Sequence, residues 1–192
     1  FAAELAPTYA PELDVVGAIG GAPAAEFGPI RSTIDSGPYA GFQLMASIGF
    51  TTAYPELRSA APLSPEAEQA LDAVRTSCVA EILDRFAGRS VADVDTGTVD
   101  DPDALAEILE RNTAGNVATD VPIFIYHGED DDLIPVAVST RARDRYCALG
   151  VPVQLRTYPG TNHVTVIGAA LGEIVAYAQA RVAGEPAPTS CS

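Results

Sequence analysis

Residues 121–135 read Val-Pro-Ile-Phe-Ile-Tyr-His-Gly-Glu-Asp-Asp-Asp-Leu-Ile-Pro, and they contain the clearest indication of the fold class. Its first half is a nearly continuous apolar run, which is typical of a strand that is covered on both faces of a parallel sheet. Four consecutive acidic residues follow, and then a helical pattern over 136–149 that ends at Gly150. The stretch therefore predicts a buried strand, an acidic loop and a helix in succession.

Two further segments have strand character. Residues 14–20 form an apolar run that Gly and Pro close, and residues 151–158 alternate in the way expected near a sheet edge. A last helical pattern covers 164–182 and ends before Gly184. Strands that alternate with helices at these lengths predict right-handed βαβ units, and hence a parallel α/β sheet.

The region between the first two strands contains helical patterns only. Residues 38–54 are apolar nearly all round, which predicts a helix that is buried or faces something apolar. A second helix is predicted to begin after the N-cap Ser64 and to end at Gly88, with Cys78 on its apolar face. A third opens at Asp101.

Composition excludes several classes of protein. The chain has 192 residues, 47% of them hydrophobic, which is the globular range. It carries 11 basic and 26 acidic residues, so a net charge of -15 opposes binding to nucleic acid or to an anionic membrane. No apolar stretch reaches the roughly 20 residues of a membrane-spanning helix. We therefore predict no nucleic-acid partner and no transmembrane segment.

The three cysteines, Cys78, Cys147 and Cys191, lack the Cys-x-x-Cys spacing of a structural zinc site, and we predict no metal or cofactor. Cys191 lies in a polar tail, and the simplest use of its thiol is a disulfide with Cys147 that ties the tail to the body. Such a bond implies an oxidising compartment. For Cys78 two alternatives stay open: a small buried apolar residue, or a disulfide partner outside this chain.

Reactive residues collect at the carboxyl ends of strands in a parallel α/β sheet. An acid from residues 129–132 and the histidine His163, which follow neighbouring strands, could form the carboxylate–imidazole pair of a hydrolytic triad. The plainer alternatives are a surface or capping histidine and a solvated or cation-binding acidic loop. The nucleophile is the missing part, because the chain contains no Gly-x-Ser-x-Gly and the segment around Ser47 lacks the first Gly.

Several motifs together carry a family resemblance. They are residues 121–135, Tyr-Pro-Gly-Thr-Asn-His at 158–163, Gly-Ala-Ile-Gly-Gly-Ala-Pro at 17–23, Gly-Pro-Tyr-Ala-Gly-Phe at 37–42 and Tyr-Pro-Glu-Leu at 54–57. They resemble the secretory lipase family, the lipase-A-like branch of the α/β-hydrolases, over essentially the whole chain. The resemblance implies a partial α/β-hydrolase fold, with three C-terminal parallel strands, flanking helices and an inserted helical cap.

The same resemblance implies roles for particular residues. It assigns 1–23 and 121–192 to the hydrolase core and 24–120 to the cap. The triad acid falls on Asp131 and the triad base on His163. Residues of the apolar helix 38–54 would help to line the acyl-binding site, namely Phe42, Leu44 and Met45. Cys147 and Cys191 match a disulfide of the family.

The function that the resemblance implies is hydrolysis of carboxylic esters of the acylglycerol type by a secreted serine lipase or esterase. The chain would be the C-terminal half, with a lipid or small ester as substrate and its serine upstream of Phe1, and would be inactive alone. Cys78 would pair with the missing N-terminal half. The alternatives are an acyltransferase or peptidase on the same fold, or a stand-alone module that binds a divalent cation through 129–132.

Overall fold

The computed structural model describes residues 1–58, 64–90, 94 and 101–191. They form two compact units. The first comprises Phe1–Phe27 and Asn112–Ser192, and the second comprises Gly28–Arg111. Residues 24–27 and 112–120, which the family resemblance assigned to the cap, thus cluster with the sheet. The role of the second unit as a cap stays a prediction.

The helices and strands follow in chain order. They are α1 (Ala2–Tyr9), β1 (Ala18–Gly21), α2 (Phe27–Ile34), α3 (Ala40–Ala53), α4 (Pro65–Thr76), α5 (Val79–Phe86), α6 (Pro102–Arg111), β2 (Ile123–Gly128), α7 (Val136–Ala148), β3 (Val153–Tyr158) and α8 (Val166–Val182). Short 3-10 helices at Gly37–Tyr39 and Pro55–Leu57 flank α3. The predicted alternation of strands and helices in the first unit is confirmed.

The three strands form one parallel sheet in the order β1-β2-β3. All six residues of β2 are buried, because helices cover both faces of the central strand. Phe124 packs under α8, where its ring lies 5.2 Å from that of Tyr177. The alternate side chains of β2, such as Ile125, point to the opposite face, on which α7 lies. The first unit therefore has the predicted layered α/β architecture.

Strand β1 is shorter than the predicted 14–20. Its pairing starts where the Ala18 amide donates to the Pro122 carbonyl, and β2 itself begins only at Ile123. Val121, just upstream, donates its amide to the Thr119 hydroxyl instead of to a strand. Among the described residues, 14–17 therefore have no neighbouring strand to pair with, and the predicted start of this strand was wrong.

The second unit has its own hydrophobic core. It is built on α3, α4 and α5 from Leu44, Ile48, Ala70, Ala73, Ile82, Phe86 and Val94. Helix α3 approaches α5 closely at Gly41, where a Cβ would come within 3.1 Å of the Ile82 carbonyl oxygen. The apolar pattern of 38–54 thus serves packing between helices, as its lack of a polar face predicts.

The helix predicted from Ser64 to Gly88 is two helices. Ser64 caps α4 as predicted, its hydroxyl accepting the Ala67 amide at 3.1 Å. The chain then becomes extended at Ser77 and Cys78, and α5 begins with the Cys78 amide donating to the Glu81 carboxylate at 3.1 Å. Cys78 is a free, exposed cysteine. The interpretation of Cys78 as a buried apolar residue was therefore wrong.

The C-terminal tail lies along β3. The Ser190 amide donates to the Val153 carbonyl at 2.6 Å, and the Ser190 hydroxyl accepts the Leu155 amide at 3.1 Å. A disulfide joins Cys147 in α7 to Cys191, which confirms the predicted pair. Because an uncovered strand edge is open to pairing with other chains, this tail protects the outer edge of the sheet.

A cluster of charged side chains joins α7 to the two segments that precede and follow the second unit in sequence. Glu26 accepts from Arg141 Nε at 2.7 Å and from Arg145 Nη1 at 3.3 Å. Arg145 Nε also donates to the Ala114 carbonyl at 2.9 Å, while the Ala114 amide donates to the Ala25 carbonyl at 2.8 Å. Residues 25–26 and 114 are thereby held together within the first unit.

We expect Glu26→Gln to lower the free energy of unfolding by about 0.5 to 1 kcal/mol at pH 7, the range of a partly exposed ion pair. Burial disfavours the charged form of Glu26, but Arg141 and Arg145 outweigh it and hold the pKa below its ordinary value. The contribution is therefore complete above the pKa of the unfolded chain and is lost as the pH falls through the lower pKa of the folded chain.

Urea denaturation of wild type and Glu26→Gln at pH 7 and at pH 3 measures this effect, with the exposed Glu12→Gln as the matched control. The stability difference should shrink at the lower pH. An equal difference at both pH values would show that the charge of Glu26 contributes nothing.

Candidate active site

Asp131 and His163 lie in the loops that follow β2 and β3, at the same edge of the sheet. Because these strands are parallel neighbours, their carboxyl ends meet, and residues 32 apart in sequence come into contact. His163 Nδ1 lies 2.8 Å from Asp131 Oδ2. The structure therefore brings the predicted acid and base within hydrogen-bonding distance.

The Asp131 carboxylate is completely enclosed, with a side-chain exposure of 0%. Its Oδ1 accepts the backbone amides of Leu133 at 2.9 Å and Ile134 at 2.8 Å. Its Oδ2 accepts from His163 Nδ1, and His127 Nε2 lies 3.2 Å from the same oxygen. Three hydrogen-bond donors and the nearby His127 Nε2 around two oxygens suit a carboxylate, which can only accept. Asp131 is thus held in one orientation by its own loop.

The geometry decides which ring nitrogen of His163 can act as a base. Since the Asp131 carboxylate can only accept, Nδ1 of His163 carries the hydrogen and Nε2 of the neutral ring has a lone pair. Nε2 has no hydrogen-bond partner among the residues that the structure describes, and the side chain is 31% exposed. This is the arrangement that general-base catalysis by an oriented histidine requires.

The other acids of the 129–132 run point elsewhere. Asp130 and Asp132 are exposed, and Glu129 accepts from the Thr157 hydroxyl at 2.7 Å. Within the described ranges, no group of three or more His, Cys, Asp or Glu side chains is arranged to hold a metal ion. Asp131 is therefore the member of the run that faces the imidazole.

Backbone bonds lock the two loops together. The Glu129 amide donates to the Tyr158 carbonyl and the Asp130 amide to the Thr161 carbonyl, both at 3.0 Å. A Cβ at Gly128 would collide with the Thr161 carbonyl, so only glycine allows the loops to approach this closely. The distance between the acid and the base therefore depends on the fold of both loops.

No role was predicted for His127, which is fully buried near the end of β2. Its Nδ1 lies 2.6 Å from the Ser139 hydroxyl and its Nε2 lies 2.8 Å from the Ile134 carbonyl. Burial lowers the pKa of His127, because it disfavours the charged imidazolium. Buried polar groups need hydrogen-bond partners, so a histidine near the end of a buried apolar strand was the signal in the sequence that a buried polar contact should be sought.

Neither Ser47 nor Ser139 has the geometry that a nucleophilic serine requires. Ser139 is 0% exposed and bonded to His127, so no substrate reaches its hydroxyl. Ser47 lies inside α3 in the second unit rather than on a strand-to-helix turn.

The three predicted substrate-binding residues all belong to α3. Leu44 is buried in the core of the second unit, and Met45 is partly buried against the same core. Phe42 is half-buried, with its ring 6.4 Å from that of Tyr39. Leu44 thus has a packing role, and contact of these residues with an acyl chain stays a prediction.

An apolar cavity of about 310 Å³ opens beside β1 in the first unit. Residues of α1, β1, β2 and α7 line it, including Ala3, Ile19, Ile125 and Tyr146. Helix α8 also exposes apolar side chains at Ile167, Leu171 and Val175. In the part of the chain that the structure describes, no helix has the length and apolar character to span a bilayer.

Comparison with known proteins identifies the family. The chain is 29% identical over 168 residues to a secreted triacylglycerol lipase of Malassezia furfur, covering 82% of this chain and 34% of that protein. It is 29% identical over 210 residues to lipase 6 of Candida albicans, covering 100% of this chain and 45% of the relative.

The X-ray structure of Candida antarctica lipase A superimposes with a TM-score of 0.83 at 23% identity, over 99% of this chain and 47% of that one. The fold is therefore part of an α/β-hydrolase, as predicted, and the chain spans between a third and a half of the length of these proteins. The model of the secretory lipase family matches residues 1–190, so the chain belongs to the secretory lipase family.

Proposed function

We propose that this chain supplies the acid and the base of a secreted serine hydrolase that cleaves carboxylic esters of the acylglycerol type. Asp131 is the acid, His163 is the base, and the serine comes from polypeptide outside residues 1–192. The observation that carries the proposal is the 2.8 Å contact between His163 Nδ1 and the enclosed Asp131 carboxylate, with Nε2 of the ring unpartnered among the described residues.

In the proposed reaction, His163 Nε2 accepts the serine proton as the serine oxygen attacks the ester carbonyl. The imidazolium then gives this proton to the departing alcohol oxygen, and an acyl-enzyme remains. Water then attacks the acyl carbon while His163 Nε2 accepts its proton. The bond to the serine oxygen breaks, the imidazolium returns the proton to that oxygen, and the carboxylic acid is released. Asp131 holds the ring in the productive tautomer and stabilises the imidazolium by its negative charge.

Three surfaces of the first unit support a contribution from further polypeptide. Among the described residues, β1 pairs only with β2, which leaves its other edge open. The apolar cavity borders this edge, and the apolar side chains of α8 lie exposed. We propose that an N-terminal half of the same enzyme covers them, and that the exposed Cys78 forms a disulfide with it.

The proposal of secretion rests on two observations. A disulfide such as Cys147–Cys191 persists in an oxidising compartment. The Malassezia furfur relative is named a secreted lipase. An extracellular enzyme agrees with both.

Assays of the purified 192-residue chain and of a longer polypeptide that contains it test the proposal. With a short-chain nitrophenyl ester, the chain alone should give no turnover above that of free imidazole. The proposed nucleophilic serine lies outside this chain, and so does the backbone amide beside it that would stabilise the oxyanion. The longer polypeptide should hydrolyse this ester and a triacylglycerol. Hydrolysis of a peptide amide instead, or acyl transfer to an alcohol without hydrolysis, would contradict the assignment to ester hydrolysis.

A further inference from the structure

His127 contacts the same carboxylate oxygen that His163 uses. His127 Nε2 lies 3.2 Å from Asp131 Oδ2, on which His163 Nδ1 also converges at 2.8 Å. His127 is fully buried, whereas His163 is partly exposed. The acid therefore stands between a buried imidazole and a partly exposed one, and the buried imidazole is closed to solvent.

The surroundings of His127 determine its tautomer. The Ile134 carbonyl, 2.8 Å from Nε2, can only accept a hydrogen bond, so Nε2 carries the hydrogen. Nδ1 then has the lone pair and accepts the hydroxyl hydrogen of Ser139 at 2.6 Å. Ser139 thereby keeps the Nε2–H of His127 directed towards Ile134 and Asp131.

We propose that His127, held by Ser139, is a positioning residue that fixes the Asp131 carboxylate for His163. This inference rests on the proposed function of the Asp131–His163 pair. The Leu133 and Ile134 amides hold Oδ1 of Asp131, while Oδ2 is the oxygen against which the Nε2–H group of His127 lies, at 3.2 Å. Without the Nε2–H of His127, the carboxylate has more freedom to rotate, and the contact with His163 is populated less.

Two substitutions separate the two ends of the His127 ring. In His127→Gln, the side-chain amide reaches as far as Nε2 does and retains a donor towards Asp131. In His127→Asn, the shorter amide reaches only as far as Nδ1, so it retains a partner for Ser139 and loses the donor towards Asp131. A difference between these variants therefore reports the contact with Asp131 rather than the presence of a polar group in the core.

The readout is the hydrogen on His163 Nδ1, observed by NMR in the 192-residue chain with ¹⁵N-labelled histidine and assigned with His163→Ala. In wild type and His127→Gln we expect a downfield resonance protected from exchange with water. In His127→Asn we expect it to be lost through exchange. Circular dichroism and the backbone amide spectrum verify the fold of each variant.

Persistence of the resonance in both folded variants, or its loss in both, would overturn the proposal. The wild type provides a test that needs no folded variant, because the ¹⁵N shifts of His127 reveal its tautomer. A hydrogen on Nε2 supports the proposal, and a hydrogen on Nδ1 with a free Nε2 lone pair overturns it.

Kinetics of the longer polypeptide separate this proposal from the proposed function. His127→Asn should lower kcat about 10²-fold with KM unchanged, which is the effect of a catalytic group misplaced by about 1 Å. His127→Gln should retain most of the wild-type rate. If the NMR result is as expected but wild type hydrolyses no ester, the proposed function fails and the positioning role of His127 stands.

Discussion

Asp131→Asn in the longer polypeptide should lower kcat/KM for a short-chain ester by about 10⁴-fold, the loss typical when the acid of a triad cannot orient its histidine. The amides of Leu133 and Ile134 both donate to Oδ1 and will hold the amide oxygen of Asn there. The amide nitrogen then faces His163 Nδ1 as a donor. His163 must then adopt the other tautomer, in which Nδ1 has the lone pair that accepts this hydrogen bond and Nε2 carries the hydrogen.

A hydrogen on Nε2 prevents His163 from accepting the serine proton, so the variant loses its general base. Its fold should stay intact, because the hydrogen bonds of the loop are retained. His163→Ala should cause a loss of about 10⁴-fold or more, because loss of the histidine of a triad costs about as much as loss of all three members. Initial rates with a nitrophenyl ester measure both effects.

Asp130→Asn is the matched control, since Asp130 is exposed and adjacent in sequence. Its rate should equal that of wild type. Equal losses in Asp130→Asn and Asp131→Asn would show that the charge of the loop matters and not its contact with His163. Full activity of His163→Ala would remove the histidine from the mechanism.

Removal of the disulfide should have the largest effect on stability. Cys147 and Cys191 are 44 residues apart. A disulfide that closes a loop of this size lowers the entropy of the unfolded chain and thereby stabilises the fold by about 4 kcal/mol. The double variant Cys147→Ser/Cys191→Ser also frees the tail from the edge of β3, which exposes a strand to aggregation. We expect a fall of about 4 kcal/mol in the free energy of unfolding, measured by urea denaturation.

Cys78→Ser is the control for that experiment, because Cys78 is exposed and unpaired within this chain. It should leave the stability of the isolated chain unchanged. Alkylation of unreduced protein followed by intact-mass analysis should label one thiol, that of Cys78. Labelling of all three cysteines would contradict both the disulfide and the secretion inferred from it.

Apolar patterning predicted β2, α7, β3 and α8 within about two residues of their observed bounds, because a buried parallel strand and its crossover helices leave little freedom in their sequences. It failed where a local contact decides the outcome. The apolar positions continue from α4 into α5 with helical spacing, yet the Glu81 side chain starts a new helix at Cys78.

In the candidate site, too, the strand pattern predicted part of the arrangement and local contacts determine the rest. Strand order alone predicted that an acid and His163 would meet, but the residues themselves did not distinguish Asp131 from its acidic neighbours. That choice came from the family resemblance. Physically it depends on loop closure, because the side chain must turn back to accept the amides of Leu133 and Ile134. His127 and Ser139 were missed for a related reason, since buried polar pairs leave no periodic signal.

Covalent labelling with a fluorophosphonate, followed by peptide mass spectrometry, tests whether Asp131 and His163 activate a serine supplied from outside residues 1–192. In the longer polypeptide the probe should modify one serine outside these residues, and His163→Ala should abolish the modification. The 192-residue chain alone should stay unlabelled. A phosphonylated serine within residues 1–192, or undiminished labelling in His163→Ala, would contradict the claim.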